Sequence, residues 1–573
     1  MDNNIEIYSP ITTFFKTRIN KTNYLYFLGI FIFFNIVKLT AFNCFIMYTV
    51  NAATISYKFA YTLLFCSLLY FFVLKVKSKL ILTILYISQS VYIFAYLSYF
   101  SYFHSYLHLF QASALLTESV GPISHLSIPI NYSMLVLFID LPFFIFSITL
   151  YSKDFIWSMK EKVFLKHILF TSILILMCLE TWNLYHKNFI IQLGENFYVK
   201  EPDIVARYGT IANNLNDVIF NYGGKNLTKK FQYGKPIASS TVSENKPNII
   251  AIQVESMDSS VINKQYQGEY IAPYLHSLAE KNIYYPYTLS YHKAGGTSDS
   301  EFSVINSIEP LSNFPSIKLS SYDYPNSFIK PLVKGGYEAL AFHGNEGSFY
   351  SRNEAYSEMG FIEFEDITKL GLSNDGWGAP DDKVFQAAFD KLKTETSPSF
   401  SYIITMSSHM PFTSATNYYH NKNYDSIYKN VVRDYFNSIS YVDKSIENFI
   451  TQVKSTLPNT YILIWGDHTP DIDSPDYTQA SFTNEDKYFE FVPLIIITPD
   501  NTRYKEENVV ASFLDISPTI LKASGVEYNL FSDGNNLIDP KYENNKIPFK
   551  EKKYDGKDLF NEINKKVSIV PVK

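Results

Sequence analysis

The sequence predicts a protein of two parts: an N-terminal domain of five transmembrane helices, followed by an exterior α/β domain. Three observations predict this arrangement. The first third of the 573 residues contains five apolar stretches long enough to span a bilayer. The loops between these stretches alternate between rich and poor in Lys and Arg. In the rest of the chain, apolar runs of strand length alternate with helical patterns, which is typical of a mixed, mostly parallel sheet with helices on both faces.

The composition argues against a nucleic-acid-binding protein and against cysteine-based chemistry in the second part of the chain. The formal net charge is -6, so no basic surplus indicates binding to nucleic acid. All three cysteines, Cys44, Cys66 and Cys178, lie in the apolar first third. The remaining part of the chain therefore has no disulfide framework, no cysteine-based zinc site and no cysteine nucleophile.

Each apolar stretch approaches the roughly 20 residues that a spanning helix needs. The five stretches are 23–49, 59–74, 80–99, 130–151 and 163–182. The first is too long for a cleavable signal peptide, and no small-residue cleavage pattern lies near its end. We therefore expect residues 1–184 to form a five-helix transmembrane domain.

The basic residues of the loops predict the orientation of this domain. They cluster before the first stretch, between the second and third, and between the fourth and fifth: Lys16, Arg18, Lys21; Lys75, Lys77, Lys79; Lys153, Lys160, Lys162. The alternate loops contain Lys58 alone. Because short loops rich in Lys and Arg stay in the cytoplasm, the N-terminus is cytoplasmic, and five crossings place everything after residue 184 outside.

Three ionisable residues interrupt the apolar stretches. Charged groups at membrane depth are costly and are often functional. For Lys38 and Glu180 we expect side chains that extend toward a membrane interface. Asp140 lies more centrally, next to Pro142, and either faces a lipid headgroup or pairs with Lys38.

Between the two main parts we expect a connector and a linker at residues 185–246. The spacing of apolar residues over 203–220 predicts an amphipathic helix, and residues 234–247 have the composition of a linker. The main exterior domain is expected at 247–540. A polar, Lys-rich tail on the surface is expected at 541–573.

Five apolar runs of the exterior part predict buried strands. They are continuous and rich in β-branched residues, at 248–254, 338–343, 401–406, 461–466 and 492–498. Helical patterns occupy 272–281, 298–307, 324–334 and 434–454. Helices on both faces of one mixed sheet are the expected result.

Ionisable side chains follow four of these five runs. They are Glu255, His343, His409 and the pair Asp467 and His468. Because ligands of open α/β sheets bind outside the carboxyl ends of the strands, these groups are expected at one edge of the sheet. Glu, Asp and His supply the oxygen and nitrogen ligands of a divalent cation.

A candidate nucleophile lies in the segment AGGTSDSEFSVINS, residues 294–307. Two glycines lead into a predicted helix, and Ser298 with Glu301 fits a capping box. Thr297 would lie just before the first turn, where backbone N–H groups are available to an anion. Taken alone, this segment is an ordinary helix cap.

Five segments carry a family resemblance. In chain order they are VESMDSS, GGTSDSEF, FHGNEGSFYSR, TMSSHMPF and WGDHTPD. This order resembles the lipoteichoic acid synthase and phosphoglycerol transferase family of the alkaline phosphatase–sulfatase superfamily. The apolar stretches and the connector resemble the membrane part of that family, and the residues from Pro247 onward resemble its sulfatase-like catalytic domain.

The resemblance implies a metal site and a covalent mechanism. One Mn²⁺ or Mg²⁺ would be held by Glu255, Thr297, Asp467 and His468. Thr297 would also be the nucleophile and would form a phospho-threonine ester. Four side chains would contact the phosphoglycerol group: His343, Tyr350, Arg352 and His409. Of these, Arg352 would grip the phosphate with two parallel hydrogen bonds, and His343 or His409 would protonate the leaving alkoxide.

Two positions depart from the family pattern. Tyr350 stands where the family has Trp, so the aromatic wall gains a hydroxyl and the headgroup preference can differ. Gly296 stands where the family has Lys, directly before the nucleophile, which removes a cation that would bind phosphate.

The implied enzyme moves glycerophosphate from phosphatidylglycerol to a lipoteichoic acid-type polymer, a glycolipid or another envelope glycan. It would be a multi-pass protein of the bacterial cell membrane with its catalytic domain outside. The alternatives are a phosphoethanolamine transferase, whose exterior domain usually carries disulfides, and a phosphodiesterase that uses water as acceptor. A sulfatase is disfavoured because no C/S-x-P-x-R motif occurs. A non-enzymatic membrane sensor is disfavoured because all four metal ligands are present.

Overall fold

The computed structural model describes residues 21–46, 52–75, 79–103, 107, 132–150, 159–185, 205–210, 214 and 228–567. The last range has gaps at 313, 320–321, 376–377, 471, 473, 475, 485–486, 506–507, 539–545 and 551. The described residues fall into two compact units, one before and one after residue 223. Each unit is described separately below.

The first unit is helical. Its α-helices are α1 (Lys21–Phe45), α2 (Ala52–Lys75), α3 (Lys79–Phe103), α4 (Leu141–Leu150) and α5 (Met159–Tyr185). A 3₁₀-helix at Tyr132–Phe138 precedes α4, so the fourth predicted stretch is divided at residues 139–140, just before Pro142. Helices therefore lie on all five predicted stretches.

Two of these helical segments are long and apolar enough to cross a membrane by length and composition, namely Tyr26–Phe45 and Leu80–Phe100. Two shorter apolar segments lie at Ser133–Thr149 and Lys166–Leu179. The count of five spans stays a prediction. The orientation does too, because Lys16, Arg18, Lys77 and Lys153 lie outside the described residues.

A buried polar cluster lies inside the first unit. Lys38 Nζ is 3.0 Å from Asp140 Oδ2, and neither side chain is exposed. The ammonium also donates to the Tyr86 hydroxyl and to Ser90 Oγ, while Asn35 donates to the same carboxylate. Lys38 therefore pairs with Asp140 and does not extend to an interface, because a carboxylate and two hydroxyls replace its water.

Two other expectations for the N-terminal part concern residues that lie wholly or largely outside the described part of the structure. The side chain of Glu180 is outside the described part of the structure. Within the predicted amphipathic helix at 203–220, residues 205–208 are helical, and Val205 and Ala206 are buried among the apolar side chains of the first unit. Most of the connector lies outside the described residues.

The second unit is an α/β domain. Its strands are β1 (Lys235–Ser239), β2 (Asn248–Val254), β3 (Gln265–Tyr266), β4 (Glu269–Tyr270), β5 (Ile283–Leu289), β6 (Glu338–His343), β7 (Glu363–Glu365), β8 (Ser399–Ile404), β9 (Thr460–Gly466), β10 (Ser481–Asn484), β11 (Lys487–Ile497), β12 (Tyr504–Lys505), β13 (Ala511–Ser512), β14 (Tyr528–Ser532), β15 (Lys546–Phe549) and β16 (Lys552–Asp555). All five predicted strands are present.

The helices of the second unit lie between these strands. They are α6 (Pro273–Lys281), α7 (Thr297–Asn306), α8 (Ile329–Lys334), α9 (Arg352–Met359), α10 (Asp381–Leu392), α11 (Asn430–Thr456), α12 (Ile516–Ser524) and α13 (Gly556–Val567). Three of the four predicted helices are confirmed over most of their length. The fourth, predicted at 324–334, begins only at Ile329, after Tyr324 with a φ of +42° and Pro325.

Ten of the described strands form one mixed sheet in the order β12-β5-β11-β9-β2-β8-β6-β7, with β10 beside β11 and β13 beside β5. The central strands β9, β2, β8, β6 and β7 are parallel. Strand β11 is antiparallel to both β9 and β5. As a result, β5 runs in the same direction as the five central strands, and the loops that follow these six strands leave the sheet at one edge.

Helices cover both faces of this sheet, as predicted. Ile250, Ile252 and Val254 of β2 pack with apolar residues of α6, α10 and α11 on one face. The alternate residue Gln253 reaches the other face and donates to the backbone carbonyl of Thr297, at the start of α7. Because successive side chains of a strand point to opposite faces, the sequence of β2 holds both helical layers.

Two segments differ from their sequence-based assignments. Residues 235–239, predicted as linker, form the edge strand β1 and pair antiparallel with β14. Residues 546–567, assigned to the polar tail, form the hairpin β15–β16 and helix α13. Phe549 and Ile563 are buried there, since their apolar side chains pack under an otherwise polar segment.

The buried pair in the first unit leads to a stability prediction. Asp140→Ala removes the carboxylate and leaves the Lys38 ammonium buried, which should lower the free energy of unfolding by about 3–5 kcal/mol. The double variant Lys38→Met/Asp140→Leu removes both charges and should recover most of that loss. Thermal unfolding of the detergent-solubilised protein measures both effects. Equal melting temperatures for Asp140→Ala and the wild type would contradict the pairing.

Candidate active site

Three ligand-type side chains meet at the edge where the parallel strands end. One ligand atom each from Glu255, Asp467 and His468 lies within 4.8 Å of the other two. Glu255 follows β2, while Asp467 and His468 follow the neighbouring parallel strand β9. The sequence-based expectation that these groups share one edge is therefore confirmed for the three residues.

Backbone groups orient the Asp467 carboxylate. Its Oδ1 accepts hydrogen bonds from the N–H of Ser256 at 2.8 Å and from that of His468 at 2.7 Å. Its Oδ2 is buried and has no hydrogen-bond partner among the described residues. A Cβ on the preceding Gly466 would lie 1.8 Å from the Met257 carbonyl oxygen, so only glycine allows the two strand ends to approach this closely.

The ring of His468 is oriented by its other nitrogen. Nδ1–H donates to the Thr469 carbonyl at 2.8 Å. This leaves Nε2 facing Glu255 Oε1 at 3.4 Å and Asp467 Oδ2 at 3.6 Å. A histidine that donates from one nitrogen and presents the other is the usual arrangement of a metal ligand.

The electrostatics of the cluster also fit a cation. Burial alone would raise the pKa of the Glu255 carboxyl, but the positive charges of His409 and His468 and a hydrogen bond from His468 lower it. Burial and the charge of Glu255 raise the pKa of Asp467. Two carboxylates this close in a buried site repel each other, and a divalent cation removes that repulsion. The Asp467 Oδ2 atom, which has no hydrogen-bond partner among the described residues, likewise indicates a cation site.

Thr297 lies next to this cluster. Its Oγ1 donates to Glu255 Oε2 at 2.9 Å. Thr297 is the first residue of α7, and none of the described side chains caps this helix. The N–H groups of Ser298 and Asp299 donate to the carbonyls of Gly295 and Gly296, so the helix start attracts an anion mainly through the positive end of its dipole.

The predicted capping box at this helix is wrong. Ser298 Oγ donates to the Gly295 carbonyl at 2.8 Å and caps no N–H group. Glu301, the other member of the predicted box, binds Arg352 through Nε and Nη2, and it also accepts from the Tyr356 hydroxyl at 2.5 Å. A long-range ion pair has replaced the local interaction.

Gly296, the N-cap residue, has a φ of +55° and a ψ of -132°. Glycine adopts this combination without steric cost, whereas a residue with a Cβ does not. The departure from the family pattern at this position therefore matches the backbone of this chain.

The four predicted substrate-contacting residues lie in different environments. His343 is fully buried, and its Nδ1–H donates to the Ile404 carbonyl at 3.2 Å. Burial, reinforced by the positive charge of Arg352, lowers the pKa of His343 to about 3. His409 lies on the loop after β8, is partly exposed, and places Nδ1 2.7 Å from the Met410 carbonyl oxygen.

Arg352 and Tyr350 pack against each other, and the Tyr350 hydroxyl lies near Gly296. The guanidinium of Arg352 is 2% exposed and gives its Nε and Nη2 donors to Glu301. Glu301 thus occupies the Nε–Nη2 edge of the guanidinium, and Nη1 donates to the Phe349 carbonyl at 3.4 Å, so a contact with phosphate would use the second N–H of Nη1 and of Nη2. Tyr350 is buried, with the guanidinium carbon of Arg352 5.3 Å from its ring centroid.

Sequence reasoning missed a group of residues behind His468. The ring of His292 stacks on His468 with centroids 4.3 Å apart, and His292 Nδ1 lies 3.1 Å from Glu490 Oε2. Thr469 donates to the same Glu490 carboxylate at 2.6 Å. Glu490 belongs to the antiparallel strand β11, so a search of strand ends alone does not find it.

The mixed sheet, the cluster of Glu255, Asp467 and His468, and Thr297 all lie in a part of the chain that matches a known family model. Residues 247–526 match the family model described as Sulfatase. This part of the chain is thus a domain of the sulfatase family, and members of its superfamily use a divalent metal.

The chain is similar to lipoteichoic acid synthases. The lipoteichoic acid synthase of Staphylococcus saprophyticus is 29% identical over 406 residues, covering 65% of this chain and 60% of that protein. A lipoteichoic acid synthase-like protein of Bacillus subtilis is 27% identical over 318 residues, covering 53% of this chain and 51% of that protein. The chain thus matches between half and two thirds of the length of these relatives.

The fold is also similar to a solved membrane enzyme, the integral membrane lipooligosaccharide phosphoethanolamine transferase A of Neisseria meningitidis. The TM-score is 0.54 at 11% identity, covering 87% of this chain and 95% of that one. At this identity the likeness shows a shared fold. Its coverage exceeds the second unit, so it extends into the first.

The cluster predicts metal-dependent stabilisation. Mn²⁺ or Mg²⁺ at 100 times its Kd should stabilise the wild type by about 2.7 kcal/mol, and Asp467→Asn should lose this gain because the unpartnered Oδ2 is gone. Thermal unfolding with and without the ion measures this stabilisation in the wild type and in Asp467→Asn. Asp443→Asn is the matched control, since Asp443 also binds two backbone N–H groups, those of Tyr274 and Leu275, but lies outside the cluster. A metal shift that persists in Asp467→Asn would contradict the assignment.

The backbone of Gly296 leads to a second prediction. In Gly296→Ala the new Cβ adds about 1–3 kcal/mol of strain, which displaces Thr297 from Glu255. Turnover should fall on the order of 100-fold. The control is Gly371→Ala, which adds similar strain at a φ of +64° in a loop away from the cluster. Equal loss of turnover per folded molecule in the two variants would show that Gly296 has no special role.

Proposed function

We propose that this protein is a membrane-anchored phosphoglycerol transferase that moves glycerophosphate from phosphatidylglycerol to a cell-envelope acceptor. The observation that carries the proposal is the Thr297 hydroxyl, which lies 2.9 Å from Glu255 at the N-terminus of α7 and beside Asp467 and His468. The relatives named lipoteichoic acid synthase support phosphoglycerol as the group transferred. The acceptor is a lipoteichoic acid-type polymer, a glycolipid or another glycan.

The anchor is proposed to be a multi-pass domain with five spans and a cytoplasmic N-terminus. Helices on all five apolar stretches support this, as does the similarity to a membrane enzyme over 87% of the chain. The catalytic domain then lies outside the bacterial cell membrane. An anchor suits an enzyme whose donor is itself a membrane lipid, because it keeps the site within reach of the bilayer surface.

The proposed cofactor is one Mn²⁺ or Mg²⁺ ion. Glu255, Asp467 and His468 would hold it, together with Thr297. When bound, such an ion lowers the pKa of a coordinated hydroxyl and neutralises charge on the phosphoryl oxygens. The remaining chemistry falls to the side chains of this chain.

In the first step, the Thr297 hydroxyl passes its proton to Glu255, to which it donates a hydrogen bond, and Thr297 Oγ forms a bond to the phosphorus of phosphatidylglycerol. The bond from phosphorus to the oxygen of the diacylglycerol moiety breaks, and diacylglycerol leaves after this oxygen takes up a proton. The positive end of the α7 dipole, at Thr297, stabilises the negative charge on the phosphoryl oxygens. The product is a phosphoglycerol ester of Thr297.

His409 is the histidine that suits the proton transfer. His343 is neutral, because burial and then Arg352 lower its pKa to about 3, and its Nδ1 proton is bound to a backbone carbonyl. Its Nε2 can only accept a hydrogen bond, for example from a glycerol hydroxyl. His409, on a partly exposed loop, protonates the leaving alkoxide and later takes the proton of the acceptor hydroxyl.

In the second step, an acceptor hydroxyl attacks the same phosphorus and releases Thr297. The oxygen–phosphorus bond of the ester breaks, phosphoglycerol passes to the acceptor, and Thr297 takes its proton back from Glu255. If water attacks instead, the enzyme acts as a hydrolase. Comparing product formation with and without an acceptor alcohol distinguishes the two.

The covalent step leads to a direct test. After incubation with phosphatidylglycerol, the purified full-length protein should carry phosphoglycerol on Thr297, as detected by mass spectrometry. Thr297→Ala should lose the adduct and reduce diacylglycerol release by about 1,000-fold or more. Thr297→Ser keeps a hydroxyl and should retain part of the activity. Normal diacylglycerol release by Thr297→Ala would overturn the covalent scheme.

A further inference from the structure

A single buried carboxylate holds two neighbours of the candidate metal ligand His468. Glu490, on strand β11, is 6% exposed. Its Oε1 accepts a hydrogen bond from the Thr469 hydroxyl at 2.6 Å. Its Oε2 lies 3.1 Å from His292 Nδ1, and because a carboxylate only accepts, this nitrogen is the donor. Both partners contact His468, so Glu490 acts on that ring from two directions.

The first direction runs through the backbone of Thr469. The Thr469 carbonyl accepts the Nδ1 proton of His468 at 2.8 Å. This bond fixes the tautomer of His468 and turns its Nε2 toward Glu255 and Asp467, at 3.4 and 3.6 Å. The hydroxyl of the same threonine is bound to Glu490. The Glu490 carboxylate therefore holds the residue whose carbonyl orients the ligand.

The second direction is the face of the imidazole. The His292 ring lies nearly parallel to that of His468, with an interplanar angle of 16° and centroids 4.3 Å apart. A stacked ring prevents His468 from turning about its Cβ–Cγ bond toward that side. Glu490 keeps His292 in place, since both carboxylate oxygens lie within 3.2 Å of His292 Nδ1. The His292 side chain is 33% exposed, so a substitution there removes little buried contact.

The side chain of Glu490 serves these two residues alone among the described part of the chain. The hydrogen bonds that it accepts come from Thr469 and His292, which both lie against His468. A buried carboxylate is costly unless hydrogen bonds compensate its charge. Here all the described compensation comes from groups that support one ligand.

The backbone of Glu490 supports the other strand-end ligand, Asp467. The Glu490 carbonyl accepts the N–H of Ser290 at 3.0 Å. The Ser290 hydroxyl donates to the Asp467 carbonyl at 2.7 Å. A substitution of the Glu490 side chain keeps these backbone contacts. It therefore changes the support of His468 and leaves that of Asp467 in place.

We propose that Glu490 is a positioning residue of the metal site, which raises the affinity of the cluster for its divalent cation by holding His468 through Thr469 and His292. This inference rests on the proposed cofactor. A ligand that is already oriented loses less conformational freedom when a cation binds. Replacing a residue that orients a metal ligand typically weakens metal binding by about 10–100-fold.

Mn²⁺ binding to the metal-free, detergent-solubilised, full-length protein tests this proposal without turnover. The electron paramagnetic resonance signal of free Mn²⁺ decreases as the ion binds, which gives Kd directly. Glu490→Gln offers one acceptor oxygen in place of two, and its Kd should rise about 10–100-fold. His292→Ala should raise Kd as well. The matched control is Asp443→Asn, which alters a buried carboxylate outside the cluster and should keep the wild-type Kd.

A double variant shows whether the two residues act on the same ligand by one route. Glu490 holds His292, so the stacked ring is already loosened in Glu490→Gln. The Kd of Glu490→Gln/His292→Ala should therefore stay close to that of Glu490→Gln, because coupled residues do not contribute additively to the binding free energy. Independent effects would multiply in Kd and would contradict the joint support of His468.

The dependence of turnover on Mn²⁺ concentration separates positioning from general damage to the fold. Diacylglycerol release by Glu490→Gln should need a higher Mn²⁺ concentration to reach half of its maximal rate. At saturating Mn²⁺ the rate should rise toward the wild-type value, because the ion itself then orders His468. A purely structural role would lower the rate at every Mn²⁺ concentration and leave the half-maximal concentration unchanged.

The outcomes separate this inference from the cofactor on which it rests. A wild type that binds no Mn²⁺ overturns the proposed cofactor. A wild type that binds Mn²⁺, with the same Kd in Glu490→Gln and His292→Ala, overturns the role of Glu490 alone. If metal-free Glu490→Gln melts well below the wild type, the partly exposed His292→Ala decides. A raised Kd in that variant supports the inference, and an unchanged Kd overturns it.

Discussion

Two buried carboxylates at one sheet edge, Glu255 and Asp467, set the constraint around which the second unit is arranged. Parallel pairing of β2 and β9 brings them together, and Gly466 allows the strand ends to approach. Each needs compensation, because buried negative charge is costly when unpaired. Backbone N–H groups, His468 and the Thr297 hydroxyl supply part of it. A divalent cation would supply the remaining positive charge. The repulsion between the two buried carboxylates is therefore the reason that this cluster suits a metal ion.

Much of this fold was predictable because its central strands are buried on both faces. Such strands appear in the sequence as continuous β-branched runs, and the five runs that were predicted correspond to β2, β6, β8, β9 and β11. Strand β5 was missed because tyrosines and Pro286 interrupt its apolar character, and its place in the sheet depends on β11, some 200 residues later. The polar edge strand β1 was missed for the same reason, since only its pairing with β14 makes it a strand.

Some residues of the candidate site could likewise be predicted from the sequence, and others could not. The rule that parallel strands deliver their next residues to one edge was enough to find Glu255, Asp467 and His468. It could not find Glu490, which enters the same edge at the beginning of an antiparallel strand. Glu301 was misassigned because a capping box is a local pattern, whereas its actual partner Arg352 lies 51 residues away. Family resemblance supplied the candidate nucleophile, and the structure shows how closely its hydroxyl approaches Glu255.

The buried pair in the first unit has a consequence for how the chain is made. Lys38 and Asp140 are separated by 102 residues. In the proposed membrane placement, the first helix leaves the ribosome with its ammonium uncompensated, and three further helical segments must follow before the carboxylate arrives. Tyr86 and Ser90 on α3 are synthesised earlier than Asp140. Their hydroxyls would accept hydrogen bonds from the Lys38 ammonium until the carboxylate is present. In that placement, membrane insertion would be ordered in time, because the Lys38–Asp140 pair would form only when the fourth segment reaches the first.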